Sequence, residues 1–233
     1  MDLQSVMKQL KAWEHPKMRA VNAKHGAGEN QFGVNLGKLR GLAGKIKRDH
    51  QLALELWKSG NIDAMNLATL IMDPKQLTQP DVEKLARDLS YYTTTDWFVK
   101  NVIKALPFKG ELCRKWAASK DEYVGRAGWT LMAGQLEDND PEELLDTIEK
   151  RMKDAPFRTQ EPMNYCMAKI AVDYPQLRKR AIAIGNKLEV LKDYPVPKGC
   201  TSPFAPIWIA YILEHPKYRP SVRAPARRTA RRP

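Results

Sequence analysis

The chain has 233 residues, 43% of them apolar and 28% charged, a globular mix long enough to bury a core. Its formal net charge is +12, and the acid-free stretch 217–233 supplies seven of the basic residues, so a polyanionic partner is expected, nucleic acid first. The longest strongly apolar run, Ile207 to Leu213, is far short of the ~20 residues of a membrane span, and three widely spaced cysteines make no disulfide framework. The opening MDLQSVMKQLKAW has no apolar signal region, so a cytoplasmic protein is expected.

The hydrophobic period is helical along the chain. Leu3, Val6, Leu10 and Trp13 share one face, and Leu36, Leu39, Leu42, Ala43 and Ile46 repeat the pattern. Between them KHGAGENQFG (24–33) is Gly-rich, but it matches neither a phosphate loop nor a dinucleotide fingerprint and reads as an inter-helix turn. Asp49 and Asn61 are placed to cap the next two helices, 50–59 and 61–72. Thr78 with Asp81, and Ser119 with Glu122, have capping-box spacing, and Asp140-Pro141 marks another start. No alternating strand or hairpin dipeptide appears, so the chain is predicted to be all-α. About ten helices in antiparallel pairs, such as 50–59 with 61–72 and 108–119 with 121–136, suggest an α-solenoid of divergent repeats, with a globular bundle as the alternative. Residues 1–213 are expected to form this body, and 214–233 a basic, Arg/Pro-rich disordered tail.

Three helices carry unusual faces. In 93–106, Phe98, Val99, Val102, Ile103 and Leu106 gather on one side and Trp97, Lys100, Asn101 and Lys104 on the other. In 121–136, Arg126 stands opposite Val124, Leu131 and Met132, flanked by Tyr123, Trp129 and Thr130. In 160–174, Tyr165 and Lys169 stand opposite Met163, Met167, Ile170 and Tyr174. Each helix is thus predicted to bury one side and offer an aromatic and a base on the other. In a solenoid those second faces line a concave basic groove, with Lys100, Lys104, Arg126 and Lys169 on phosphates and the aromatics on bases or sugars. The alternative is that the aromatics pack beneath a neighbouring repeat and the lysines form a solvated face. His15, His25, His50 and His215 have no ligand spacing, so no metal is expected, and Cys200 in its GCTSPF loop reads as a structural thiol.

The same residues carry a resemblance. FGVNLGKLRGLAGKIKRDHQLALELWKSGNIDAMNLA (32–68), the Trp97 helix and KWAASKDEYVGRAGW (115–129) resemble the DNA alkylation repair family, the HEAT-like-repeat DNA glycosylases that excise N3- and N7-alkylpurines. The resemblance implies a groove in which Trp97, Arg126 and Tyr165 occupy catalytic positions, with double-stranded DNA as the partner, no cofactor and a monomer. Asn101 stands where the family has its catalytic Asp, and DYPVPKGCTSPFAPIWI (193–209) resembles one branch of the family rather than its classical glycosylases.

The substitution matters chemically. Breaking the glycosidic bond leaves positive charge on the sugar, which a carboxylate stabilises and an aromatic face attracts. A full charge pair at ~4 Å and an effective dielectric near 20 is worth ~4 kcal/mol, about a thousandfold in rate. Asn101 carries no charge. Asp96, Asp121 and Glu122 are the carboxylates nearby in sequence. Asp96 lies about 100° round the helix from Trp97, and Glu122, one turn before Arg126, is spaced for an ordinary ion pair. The sequence therefore leaves two readings: an alkylpurine glycosylase or a reduced-activity relative, and a non-catalytic HEAT-repeat module that binds DNA structure or scaffolds proteins.

Overall fold

The computed structural model describes residues 1–215; the basic segment from Lys217, expected to be a tail, lies outside the described residues. Within them all regular structure is helical, thirteen α-helices with short 3-10 turns and no strand. The described residues fall into two compact units, Met1–Gly128 and the part that begins at Trp129. No described helix is long and apolar enough to cross a membrane. Cys113 and Cys166 are buried free thiols, while Cys200 is exposed.

The first unit contains α1 (Leu3–Ala12), α2 (Pro16–Lys24), α3 (Leu36–Ile46), α4 (His50–Lys58), α5 (Ile62–Ile71), α6 (Gln79–Arg87), α7 (Tyr92–Asn101), α8 (Lys109–Ala117) and the first part of α9 (Glu122–Gly134). Helix α5 is its centre. Every residue from Ile62 to Thr69 is buried, and α1, α3, α4 and α7 pack around it. A helix that is enclosed all round must satisfy its polar groups inside the protein. Asp63 does so by gripping the Gly-rich connection between α2 and α3. Its carboxylate accepts the backbone N–H groups of Phe32 (2.6 Å), Gly33 (3.0 Å) and Val34 (2.9 Å). Burial pushes the Asp63 carboxyl above its ordinary value, against the downward pull of those three donors. Gly33 has φ +71°, and a Cβ there would fall 2.7 Å from the Arg19 amide nitrogen, so only glycine fits. The inter-helix turn read from the sequence is therefore a clasp onto α5.

Local signals placed most helix starts correctly. Asp49 accepts from Leu52 N–H, Asn61 from Asp63 and Ala64 N–H, Asp140 from Glu142 and Glu143 N–H, and Thr78 with Asp81 completes a capping box. The expected box at Ser119 is corrected. Asp121 accepts the N–H groups of Tyr123 and Val124 at the start of α9, and Ser119 only supports the Asp121 amide. The helix expected over 93–106 also stops earlier, at Asn101, and tightens into a 3-10 turn over Ile103–Ala105. Pro107 explains why no helix continues past Ala105, because the residue before a proline avoids α geometry and Leu106 is extended.

Helices α8 and α9 meet at a glycine. A Cβ on Gly128 would lie 2.1 Å from the Ala117 amide nitrogen, so the two backbones touch where no side chain fits. The Cys113 thiol donates to the Gly128 carbonyl at 3.7 Å beside this contact.

The second unit contains α10 (Pro141–Arg151), α11 (Phe157–Asp173), α12 (Arg178–Leu188) and α13 (Ala205–Glu214). Here α11 is central, with α10, α12 and α13 against it. Met163, Met167 and Ile170 form its buried face, as the period predicted.

Candidate nucleic-acid interface

Helix α7 separates its faces as its sequence period predicts. Phe98, Val99, Val102 and Ile103 are buried, with the Phe98 ring 4.9 Å from that of Trp57. On the other side Trp97 is half-buried, and Lys100 and Lys104 are exposed. Neither lysine has a carboxylate partner among the described residues. The Trp97 face carries a cation already: the Arg40 guanidinium of α3 lies 5.1 Å from its ring centroid.

Asn101 is tied into the protein by its own hydrogen bond. Its Nδ2 donates to Thr69 Oγ1 at 3.1 Å, and that hydroxyl donates to the Asn66 carbonyl at 2.8 Å. This chain ties the end of α7 to the buried helix α5. An amide suits the task, because it donates to a hydroxyl whose own hydrogen is already used.

Arg126 is 8% exposed, not an open base on a groove face. Asp96 of α7 holds it in a two-pronged pair, Nε to Oδ1 and Nη2 to Oδ2, each at 2.8 Å. Tyr92, one turn earlier on α7, places its ring 5.3 Å from the same guanidinium. From the sequence Asp96 is expected about 100° round the helix from Trp97. Relative to Trp97 that holds, but the angle turns it toward Arg126. Trp129 needs a similar correction: expected beside Arg126 on an open face, it is a core residue at 2% exposure. Helix α9 thus buries Trp129 and Arg126, while Tyr123 stays partly exposed.

In the second unit Tyr165 is 47% exposed, as its period predicted. Its ring meets that of Trp208 on α13 edge-on at 5.3 Å. Trp208 was missed from sequence, where it sits inside the apolar segment IWIAYIL and reads as core. Lys169, one turn after Tyr165, pairs with Asp173 at 3.1 Å. Trp97, Asn101 and Arg126 belong to the first unit, and Tyr165 and Lys169 to the second. Among the described residues no group of three or more His, Cys, Asp or Glu could hold a metal ion.

Paired helices, with no strand among the described residues, define an all-α HEAT-like protein, and its net charge is basic. The chain belongs to the family described as DNA alkylation repair enzyme, which matches residues 6–201. It is 23% identical over 212 residues to the uncharacterized protein Lin0241 of Listeria innocua, covering 88% of this chain and 92% of that one. It is 21% identical over the same length to the uncharacterized protein Lmo0209 of Listeria monocytogenes, with the same coverage. Among solved structures it is similar to a member of a new family of proteins related to the HEAT-like repeat DNA glycosylases with affinity for branched DNA structures. That match has a TM-score of 0.77 at 26% identity and covers 97% of this chain and 100% of the other.

Proposed function

We propose that this protein binds DNA by its structure, branched DNA ahead of linear duplex, and that it does not excise alkylated bases at an appreciable rate. The observation that carries this reading is Asn101. At the position where a glycosylase of this family places its charged carboxylate, the side chain is neutral and bonded to Thr69. The neighbouring carboxylate, Asp96, is held by both prongs of Arg126. Neither is free to stabilise positive charge on a sugar beside Trp97, a term worth ~4 kcal/mol. The solved relative with affinity for branched DNA supports the choice of partner. Lys100 and Lys104 serve as phosphate contacts, and Arg126 braces α7 against α9.

The test has two parts. Fluorescence anisotropy compares a labelled three-way junction with linear duplex, and single-turnover base release is followed on duplex containing N7-methylguanine. The expected result is tighter, salt-sensitive binding to the junction and base release no faster than in buffer. Rapid release by the wild-type protein would replace this reading with the alkylpurine glycosylase. Equal affinity for junction and duplex would remove the preference for branched DNA.

A further inference from the structure

The outer face of α3 carries two glycines, Gly41 and Gly44, that packing within the protein does not explain; at Gly37 a Cβ would fall 2.9 Å from the Oδ1 of the capping Asn35. Leu39 and Leu42 face the core. On the opposite side Gly37, Gly41 and Gly44 follow one another at helical spacing, within an arc of about 60° at 100° per residue. Lys38 and Lys45 flank this strip on one edge and Arg40 on the other. From Asn30 to Arg48 there are five cations and no acid. Only Arg48 pairs with a carboxylate among the described residues, that of Asp73.

Two of these cations are held in another way. The Lys38 ammonium lies 5.5 Å from the ring centroid of Trp13, and the Arg40 guanidinium 5.1 Å from that of Trp97. An ion pair would cancel their charge; an aromatic face restricts the side chain and leaves the charge whole. Each edge of the strip therefore carries a pre-positioned, unneutralised cation. Between them the helix backbone is bare. A Cβ on Gly41 or Gly44 would meet nothing within 4 Å, so no neighbour in the protein requires glycine there. Glycine inside a helix weakens it relative to alanine, a cost that a close-approaching partner would account for.

We propose that this face of α3 seats the sugar–phosphate backbone of one DNA strand, with the glycines as its floor and Lys38, Lys45 and Arg40 as its edges. The proposal rests on the DNA-binding reading above and names the surface and the part of DNA that it grips. From Gly37 to Gly44 the helix rises ~10 Å. That matches about three phosphates of one strand at 3.4 Å each along the duplex axis. Contact through phosphates alone makes the seat indifferent to sequence. Arg40 places it directly beside Trp97, so a strand lying on α3 passes the exposed lysines of α7.

The experiment uses the full chain and two double variants. Gly41→Leu/Gly44→Leu fills the floor with good helix formers and leaves the charge alone. Lys38→Gln/Lys45→Gln removes one edge and leaves the floor alone. Anisotropy on the labelled three-way junction is read across a salt series, with thermal melting alongside. The floor variant should melt no lower than wild type and bind at least tenfold more weakly. The edge variant should lower the magnitude of the log–log salt slope by about 2. Wild-type affinity in the floor variant, or an unchanged slope in the edge variant, would overturn the seat while leaving DNA binding in place. A wild-type protein that binds no DNA at low salt would sink the DNA-binding reading and the seat with it. Competition by poly-glutamate as effective as that by DNA, charge for charge, would reassign the face to a general polyanion site.

Discussion

Asp96 grips Arg126 with both carboxylate oxygens, at 2.8 Å from Nε and 2.8 Å from Nη2, from the position immediately before Trp97. The planar fork of arginine matches a carboxylate in two parallel bonds, which fixes orientation as well as distance. Arg126 is nearly enclosed, so the pair ties α7 to α9 at the residue beside Trp97.

That pair can be weighed with a double-mutant cycle. The Asp96 side chain is 38% exposed and water offsets part of its loss, so Asp96→Asn should cost about 2 kcal/mol rather than the full cost of an uncompensated buried charge. Arg126→Met removes the charge that needs a partner. Combining the two should recover 1 kcal/mol or more relative to the sum, about the coupling of contacting residues. Additive urea-denaturation values would show that the pair contributes nothing to stability.

Asn101→Asp tests whether charge alone is missing from the site. The Thr69 hydroxyl can turn to donate to the new carboxylate, so the variant should fold with a loss below about 1.5 kcal/mol. Release of N7-methylguanine should rise by about one to three orders of magnitude, bounded by the ~4 kcal/mol of a charge pair. Trp97→Ala in that background should abolish the gain. If Asn101→Asp folds and binds DNA yet releases no base, the residues around Trp97 do not hold a nucleotide in a reactive pose.

Gly128→Ala asks α8 and α9 to separate. Its Cβ would lie 2.1 Å from one backbone atom of α8 and 2.4 Å from another, and backbone cannot rotate aside as a side chain can. Overpacking ordinarily costs 1–3 kcal/mol, and this substitution should reach about 3 kcal/mol or more by urea denaturation. A loss below about 1 kcal/mol would mean that the two helices are free to slide at this point.

A smaller effect is expected where α6 meets α8. Lys115 reaches Glu83 at 2.7 Å and holds its carboxyl below the ordinary value for glutamate. A carboxyl lowered in the folded state contributes stability above its unfolded value and loses it as the pH falls through the folded one. Glu83→Gln should flatten the acid side of the stability curve, and the difference should shrink in high salt because both groups touch water.

Short-range chemistry was legible in the sequence and long-range packing was not. Asp49, Asn61, Thr78 and Asp140 were recognisable as caps because each bonds to an amide two or three residues away. The faces of α7 and α11 followed from their period for the same reason. Arg126 and Trp129 were misjudged because their burial depends on what packs over α9, which no local pattern states. Asp96 illustrates the limit: its angle from Trp97 was correct, but the partner that gave the angle meaning stands 30 residues later. The cations of α3 were visible as charge. Their seats on Trp13 and Trp97, which lie 25 residues before Lys38 and 57 after Arg40, became visible only once the chain was folded.

The Asp63 clasp also determines how the molecule breathes. Phe32, Gly33 and Val34 lie in no helix, and amides in such a segment ordinarily trade their hydrogens for solvent deuterium within seconds to minutes. Here all three point at a carboxylate anchored in the most enclosed helix of its unit. They are released only when α5 itself opens, so their exchange should follow the cooperative unfolding of the whole unit rather than local fraying. An irregular connection should thereby rank among the slowest-exchanging parts of its unit, which amide hydrogen exchange would read directly.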